Sequence, residues 1–197
     1  EEWSLLVLGL GAGTAWRVVE GALPEGCDLH ASGVELDPLV ISLAQAHMGL
    51  PAGDPGRRIL GGWDARVALG PLARSGDQWD QLVIDVYANQ VEIPAHLGTL
   101  EFFLEAKDLL REGGWLQLNV GALEWDDPLV VALGATLAEA FGLPTLALEV
   151  PFSRNVVLVQ RLGAPVVEPQ AEGFIPEDPA LVDLAQRARL RGTWGFI

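Results

Sequence analysis

Cysteine, histidine and basic side chains are all scarce in this chain. Its one cysteine, Cys27, cannot close an internal disulfide, which points to a reducing compartment. The three histidines (His30, His47, His96) form no Cys–His cluster, so no zinc-type ligand set is expected. Twelve Lys and Arg stand against 27 Asp and Glu, a formal charge of −15 over 197 residues. That balance argues against non-specific binding to nucleic acid or to an anionic membrane. It suits a cationic small substrate, and it equally serves solubility alone. No stretch reaches the roughly 18 uncharged apolar residues that span a bilayer. The apolar opening Leu5–Ala15 follows two glutamates and is interrupted by Gly9, Gly11 and Gly13, which is not the pattern of a signal peptide. A soluble, cytoplasmic protein is expected.

Half of the residues are hydrophobic, enough for a sizeable core, and the length suits one domain plus a tail. Apolar runs and helical patterns alternate. Trp3–Gly9 reads as a strand buried on both faces, and Thr14–Ala22 as a helix. Leu29–Leu36 is a second strand. Asp37-Pro38 then opens a helix to Met48, Asp being a good N-cap and Pro suiting the first helical position. Arg58–Gly61, a short helix near Ala65–Ala73, and the strand Gln81–Val86 follow. Thr99–Arg111 has helical spacing and stops at Gly113-Gly114, before a fifth strand at Trp115–Val120. Asp127-Pro128 opens a helix through Phe141. Thr145–Val150 and Asn155–Arg161 are too close for a helical crossover and should pair antiparallel. The pattern predicts an α/β fold: a mostly parallel seven-stranded sheet, its last strand antiparallel, with helices on both faces. Residues 1–162 form the domain. Residues 163–197, richer in Pro and Gly, form an extension whose single helix, opened by Asp178-Pro179, packs on it.

In such a sheet ligands bind beyond the carboxyl ends of the strands, near the switch in strand order. Gly9, Gly11 and Gly13 follow strand one, where glycines let the backbone approach a ligand and a helix N-terminus favours electron-rich groups. Thr14 stands where a dinucleotide fingerprint needs its third glycine, so G-x-G-x-G fits an S-adenosylmethionine loop better. Glu35 ends strand two, where a carboxylate can accept both ribose hydroxyls or simply be solvated. Asp64, before Ala65, can accept from an adenine amino group or cap the next helix. Asp85 ends strand four, the place for a general base or substrate anchor, and also for a hydrated acid. Tyr87, Asn89 and His96 follow on the next loop and are candidates for the acceptor side of the cleft, with capping or packing the other reading of His96. Trp63 lies where an adenine ring can stack.

These residues resemble the spermidine synthase-like (polyamine aminopropyltransferase) branch of the class I S-adenosylmethionine-dependent methyltransferase superfamily. The first loop keeps three glycines and Arg17, and Glu35-Leu36-Asp37 with Val40 and Pro51 matches a second motif. Asp64-Ala65 matches a third. The most specific match runs from Trp79-Asp80 through Asp85 and Val91-Glu92-Ile93-Pro94-Ala95-His96-Leu97 to Glu101-Phe102-Phe103, with Gly113-Gly114 and Asn119-Val120 beyond. The resemblance covers roughly residues 3–162. It implies a Rossmann-like class I methyltransferase fold, no metal, and a homodimer. Its cofactor site would comprise Gly9, Gly11, Gly13, Glu35 on the ribose, Leu36, Asp64 on the adenine amine, Ala65 and Asp85, with Asp85 the catalytic base.

The chain departs from the family at three places. Ala12 replaces a loop aspartate that helps bind the aminopropyl amine, and Ala88 replaces a second, polyamine-anchoring acid. The sequence also begins almost at strand one, so the small N-terminal β-domain that completes the family's active-site region is expected either to be missing or to precede it. The expected function is transfer of a methyl or aminopropyl group, from S-adenosylmethionine or its decarboxylated form, to an acceptor that the sequence does not name. A non-catalytic binding protein on the same scaffold is the alternative, and it predicts a blocked cleft beside Asp85. An NAD-dependent oxidoreductase comes third.

Overall fold

The computed structural model describes residues 1–88, 92–151, 153–167 and 193–197. Within them the chain alternates strand and helix: β1 Glu2–Leu8, α1 Thr14–Glu20, β2 Asp28–Glu35, α2 Pro38–His47, β3 Arg57–Gly61, α3 Ala65–Ser75 and β4 Trp79–Ile84. A 3-10 turn at Ala95–Leu97 leads to α4 Leu100–Lys107, β5 Leu110–Val120, α5 Pro128–Phe141, β6 Leu146–Glu149, β7 Val156–Arg161 and β8 Trp194–Phe196. One sheet results, in the order β3-β2-β1-β4-β5-β7-β6-β8. β1 pairs in parallel with both β2 and β4, which sets the switch point between β1 and β4. β7 runs antiparallel to β5 and β6, as the short gap between the last two apolar runs predicts.

β1 shows why the sheet sits where it does. Leu5, Leu6, Val7 and Leu8 are all buried, at 0–1 % exposure, because side chains alternate between two covered faces. Leu6 and Leu8 join Val34, Leu82 and Ile84 beneath Leu69, Phe102, Phe103 and Val130 of α3, α4 and α5. Leu5 and Val7 join Ala31 against Trp16, Ile41 and Ala44 of α1 and α2. Burying each such leucine is worth about 2 kcal/mol, so β1 is the energetic spine of the domain. The helices start where their local chemistry says. Asp37 and Asp127 each accept a hydrogen bond from the second amide of α2 and α5, at 2.8 Å, with Pro first in the helix.

Two expectations need correction. The helix expected over Thr99–Arg111 ends at Lys107, and β5 begins at Leu110 rather than Trp115. Leu110 is buried in either reading; what decides is its pairing with Trp79, 31 residues earlier in the chain, and the ion pair of Arg111 with Asp80 at 2.8 Å. The register jumps between Trp79 and Gln81, and Gly113, at φ +78°, turns the irregular stretch. The sheet also has an eighth strand. β8 pairs antiparallel with β6, and Thr145 and Ile197 exchange backbone hydrogen bonds at 2.9 Å. Gly195 lies under Trp125, whose ring would stand 2.4 Å from any Cβ there. The helix expected after Asp178-Pro179 lies outside the described residues.

Asp80 fastens β4 to β1 and β5. Burial opposes its charge, but the Ser4 hydroxyl and amide, at 2.6 and 2.8 Å, and the Arg111 guanidinium outweigh it and hold the carboxyl below the usual range. A depressed folded-state value means stability that is present above the ordinary carboxylate range and is lost as pH falls through the folded value. Urea midpoints at pH 7 and pH 3 should therefore differ by less in Asp80→Asn than in the unaltered chain. An equal difference would remove Asp80 from the acid response.

Candidate active site

The glycine turn after β1 is built to bring two strand ends together. Gly9 has φ +86°, and both its amide and that of Leu10 donate to the Val34 carbonyl at 2.9 Å. A Cβ on Gly9 would sit 2.1 Å from the Asp85 carbonyl oxygen, so only glycine lets the ends of β1 and β4 touch here. Gly11 faces open space, and its amide donates to Glu35 Oε2 at 2.9 Å. Gly13 has a different job. It caps α1 in a left-handed conformation against Leu50, away from the cavity described below.

Glu35 is held at both ends: Oε2 takes the Gly11 amide and Oε1 the Asp37 amide at 3.1 Å. Each oxygen keeps a further lone pair for a ligand. Asp64 takes the capping position and also stands in the cavity wall. Its Oδ1 caps α3 through the Arg66 and Val67 amides at 2.8 and 3.3 Å, and the residue also faces the cavity. Its Oδ2 lies 3.1 Å from Nε2 of His96. Burial opposes ionisation of Asp64, but the His96 hydrogen bond and the two helix amides prevail and hold its carboxyl below the usual range.

Asp85 follows β4, its amide bonded to the Leu8 carbonyl at 2.8 Å and its exposed carboxylate accepting from Asn119 Nδ2 at 2.9 Å through Oδ1. Asn119 lies on β5 beside it, and its own Oδ1 is buried without a hydrogen-bond partner among the described residues. The Tyr87 hydroxyl is likewise buried and unpartnered among them. Burial chiefly, and the Asp85 charge second, push Tyr87 up to about 12. Tyr87 therefore stays protonated at neutral pH, a hydrogen-bond donor and not a base.

A cavity of about 330 Å³ joins these parts. Gly9, Gly11, Ala12, Glu35, Leu36, Trp63, Asp64, Ala65, Asp85, Tyr87, Pro94 and Leu97 line it, so the cleft beside Asp85 is open. A second cavity of about 440 Å³ shares Tyr87 and runs past Gly121, Leu123 and Asn155. Of the expected site residues, Gly13 and His96 stand outside the lining of the first cavity, and Asn89 lies outside the described residues. His96 reaches Asp64 at one end rather than Asp85 at the other. Sequence reasoning did not single out Asn119 as a site residue, although its place at the carboxyl end of the strand next to β4 is the signal that could have found it. Among the described residues there is no cluster of three or more His, Cys, Asp or Glu that could hold a metal, and no helix long and apolar enough to cross a membrane.

The fold is that of the Rossmann-like class I methyltransferases. Human methyltransferase-like protein 13, solved in complex with SAH, superposes with a TM-score of 0.68 at 23% identity, covering 97% of this chain and 83% of that one. Spermidine synthase from Thermotoga maritima superposes with a TM-score of 0.63 at 20% identity, covering 82% of this chain and 54% of the other. By sequence the chain is similar to the polyamine aminopropyltransferases, as its motifs imply. A probable polyamine aminopropyl transferase of Bifidobacterium longum is 30% identical over 154 residues, 77% of this chain and 32% of that protein. The polyamine aminopropyltransferase of Vibrio vulnificus is 33% identical over 115 residues, 58% of this chain and 36% of that protein. The chain thus spans about a third of the length of the curated relatives it matches. No family model matches it.

Proposed function

We propose that this chain carries the donor site of a spermidine synthase-like transferase, which takes S-adenosylmethionine or its decarboxylated form and alkylates an amine. The observation that carries this reading is the charge of the cavity wall. Glu35, Asp64 and Asp85 line it, and among the described residues no Lys, Arg or His does. Such a wall suits a cationic sulfonium and repels a pyrophosphate, which argues against a dinucleotide. The remaining groups fit an adenosyl moiety. Glu35 offers two oxygens to a ribose diol, Leu36 and Trp63 give a half-open apolar platform for a purine, and Asp64 Oδ2 is available to an exocyclic amine.

When bound, the sulfonium supplies an electrophilic carbon with a ready leaving group. The protein's share is positioning and proton removal. Asp85, its Oδ1 fixed by Asn119, presents Oδ2 to an incoming ammonium, takes its proton and leaves a neutral amine to attack. Tyr87, protonated between the two cavities, can donate to that acceptor or orient it. Two absent acids separate this site from a diamine-binding one. Ala12 lines the cavity without a carboxylate, and Ala88 stands at the base of a tight backbone bridge with Glu92. The open cleft beside Asp85 favours a transferase over a blocked, non-catalytic relative.

Calorimetric titration with each donor tests the reading. At least one should bind, and Glu35→Ala should weaken it about tenfold or more, since the ribose would lose two charge-assisted hydrogen bonds. Tighter binding of the decarboxylated donor assigns aminopropyl transfer, and of S-adenosylmethionine, methyl transfer. Binding of neither donor would overturn the proposal.

A further inference from the structure

We propose that His96, acting through Asp64, makes this site select a 6-aminopurine over a 6-oxopurine; the inference rests on reading the cavity as an adenosyl site. A carboxylate offers about four hydrogen-bond directions. At Asp64 three are spent. Two helix amides, Arg66 N at 2.8 Å and Val67 N at 3.3 Å, occupy Oδ1, and His96 Nε2 at 3.1 Å takes one side of Oδ2. Asp64 is ionised at neutral pH and acceptor-only, so the His96 nitrogen facing it must carry the hydrogen. The one direction left belongs to an oxygen that can only accept. An exocyclic amine satisfies it, whereas a 6-oxo group would set oxygen against oxygen.

The pairing also disarms His96. Released from Asp64, its ring would have an N–H free to donate to a 6-oxo group and so admit the wrong base. Held to Asp64, that donor is consumed. The contact spans 32 residues, and Pro94 and Leu97, which flank His96, both line the cavity. One hydrogen bond thus fixes the acceptor atom and moors the wall on either side of it. His96 touches no ligand in this scheme. It is a positioning residue.

The test compares the unaltered chain with His96→Leu, His96→Gln and His96→Asn by calorimetry, using 5′-methylthioadenosine and 5′-methylthioinosine as probes. The unaltered chain should prefer the adenine nucleoside by about tenfold, the expected penalty for setting a carbonyl oxygen unpaired against a carboxylate. His96→Leu opens the second side of Oδ2 to a water, whose free hydrogen can meet a 6-oxo group, and should cut that ratio about three- to tenfold. His96→Gln, whose amide nitrogen reaches the place of Nε2, should restore it, and the shorter His96→Asn should not. The Gln–Asn comparison stands by itself if the leucine variant does not fold. A role in folding alone would lower both affinities together and leave their ratio unmoved. An unchanged ratio in folded His96→Leu, or in His96→Asn, overturns the inference while the adenosyl reading stands. Failure of the unaltered chain to bind either nucleoside overturns both.

Discussion

Asp85→Asn lowers turnover by about 10²- to 10⁴-fold, the usual worth of a placed general base, while donor affinity falls by much less, two of the three wall carboxylates remaining. The substitution keeps the volume and lets Asn119 Nδ2 go on donating to the side-chain oxygen in the place of Oδ1. It replaces the other oxygen with an amide nitrogen, which cannot take a proton and presents hydrogens to an ammonium that already has three. The measurement is release of the thioether product from either donor with a simple primary monoamine as the probe acceptor, beside calorimetry of the donor alone. Retained turnover would remove Asp85 from the chemistry. Equal loss of binding would move its role to the donor.

Gly9→Ala destabilises the fold by about 3 kcal/mol or more, read from a urea midpoint with an unchanged slope. Two causes add. At φ +86° a side chain is strained, which alone costs about 1–3 kcal/mol. Its Cβ would also stand 2.1 Å from the Asp85 carbonyl oxygen, and that contact is with backbone, which cannot swing aside as a flexible side chain would. Relief requires parting β1 from β4 at the switch point, so donor binding should fall with stability. A loss below about 1 kcal/mol would show that the strand ends separate freely and that their contact does not set the cleft.

Much of the scaffold was legible because its signals are local. Asp37-Pro38 and Asp127-Pro128 announce helix starts through hydrogen bonds made two residues away. Leu5–Leu8 reads as a strand because burial on both faces leaves no polar residue in the run. The glycine turn, Glu35, Asp64 and Asp85 stood out because the carboxyl ends of parallel strands collect ligand-facing residues, and the cavity unites them. What escaped is what long-range pairing decides. Leu110 fits a helix or a strand until Trp79 takes it as a neighbour. Asn119 becomes a partner of Asp85 only once β5 is known to lie beside β4. His96 had two readings on sequence, and neither was the bond to Asp64 that the fold supplies.

β8 gives the sheet a border that its sequence scarcely advertises. Three residues, Trp194–Phe196, occupy the hydrogen-bonding side of β6 that would otherwise face solvent, and Gly195 lets Trp125 close over them. A gene trimmed after Leu162, where the apolar strand pattern runs out, would remove this border and expose a row of unpaired amides and carbonyls. Such a ledge recruits strands from other molecules. Keeping Trp194–Phe196 keeps that side of β6 paired, so a boundary drawn beyond residue 196 preserves the border that one drawn at Leu162 removes.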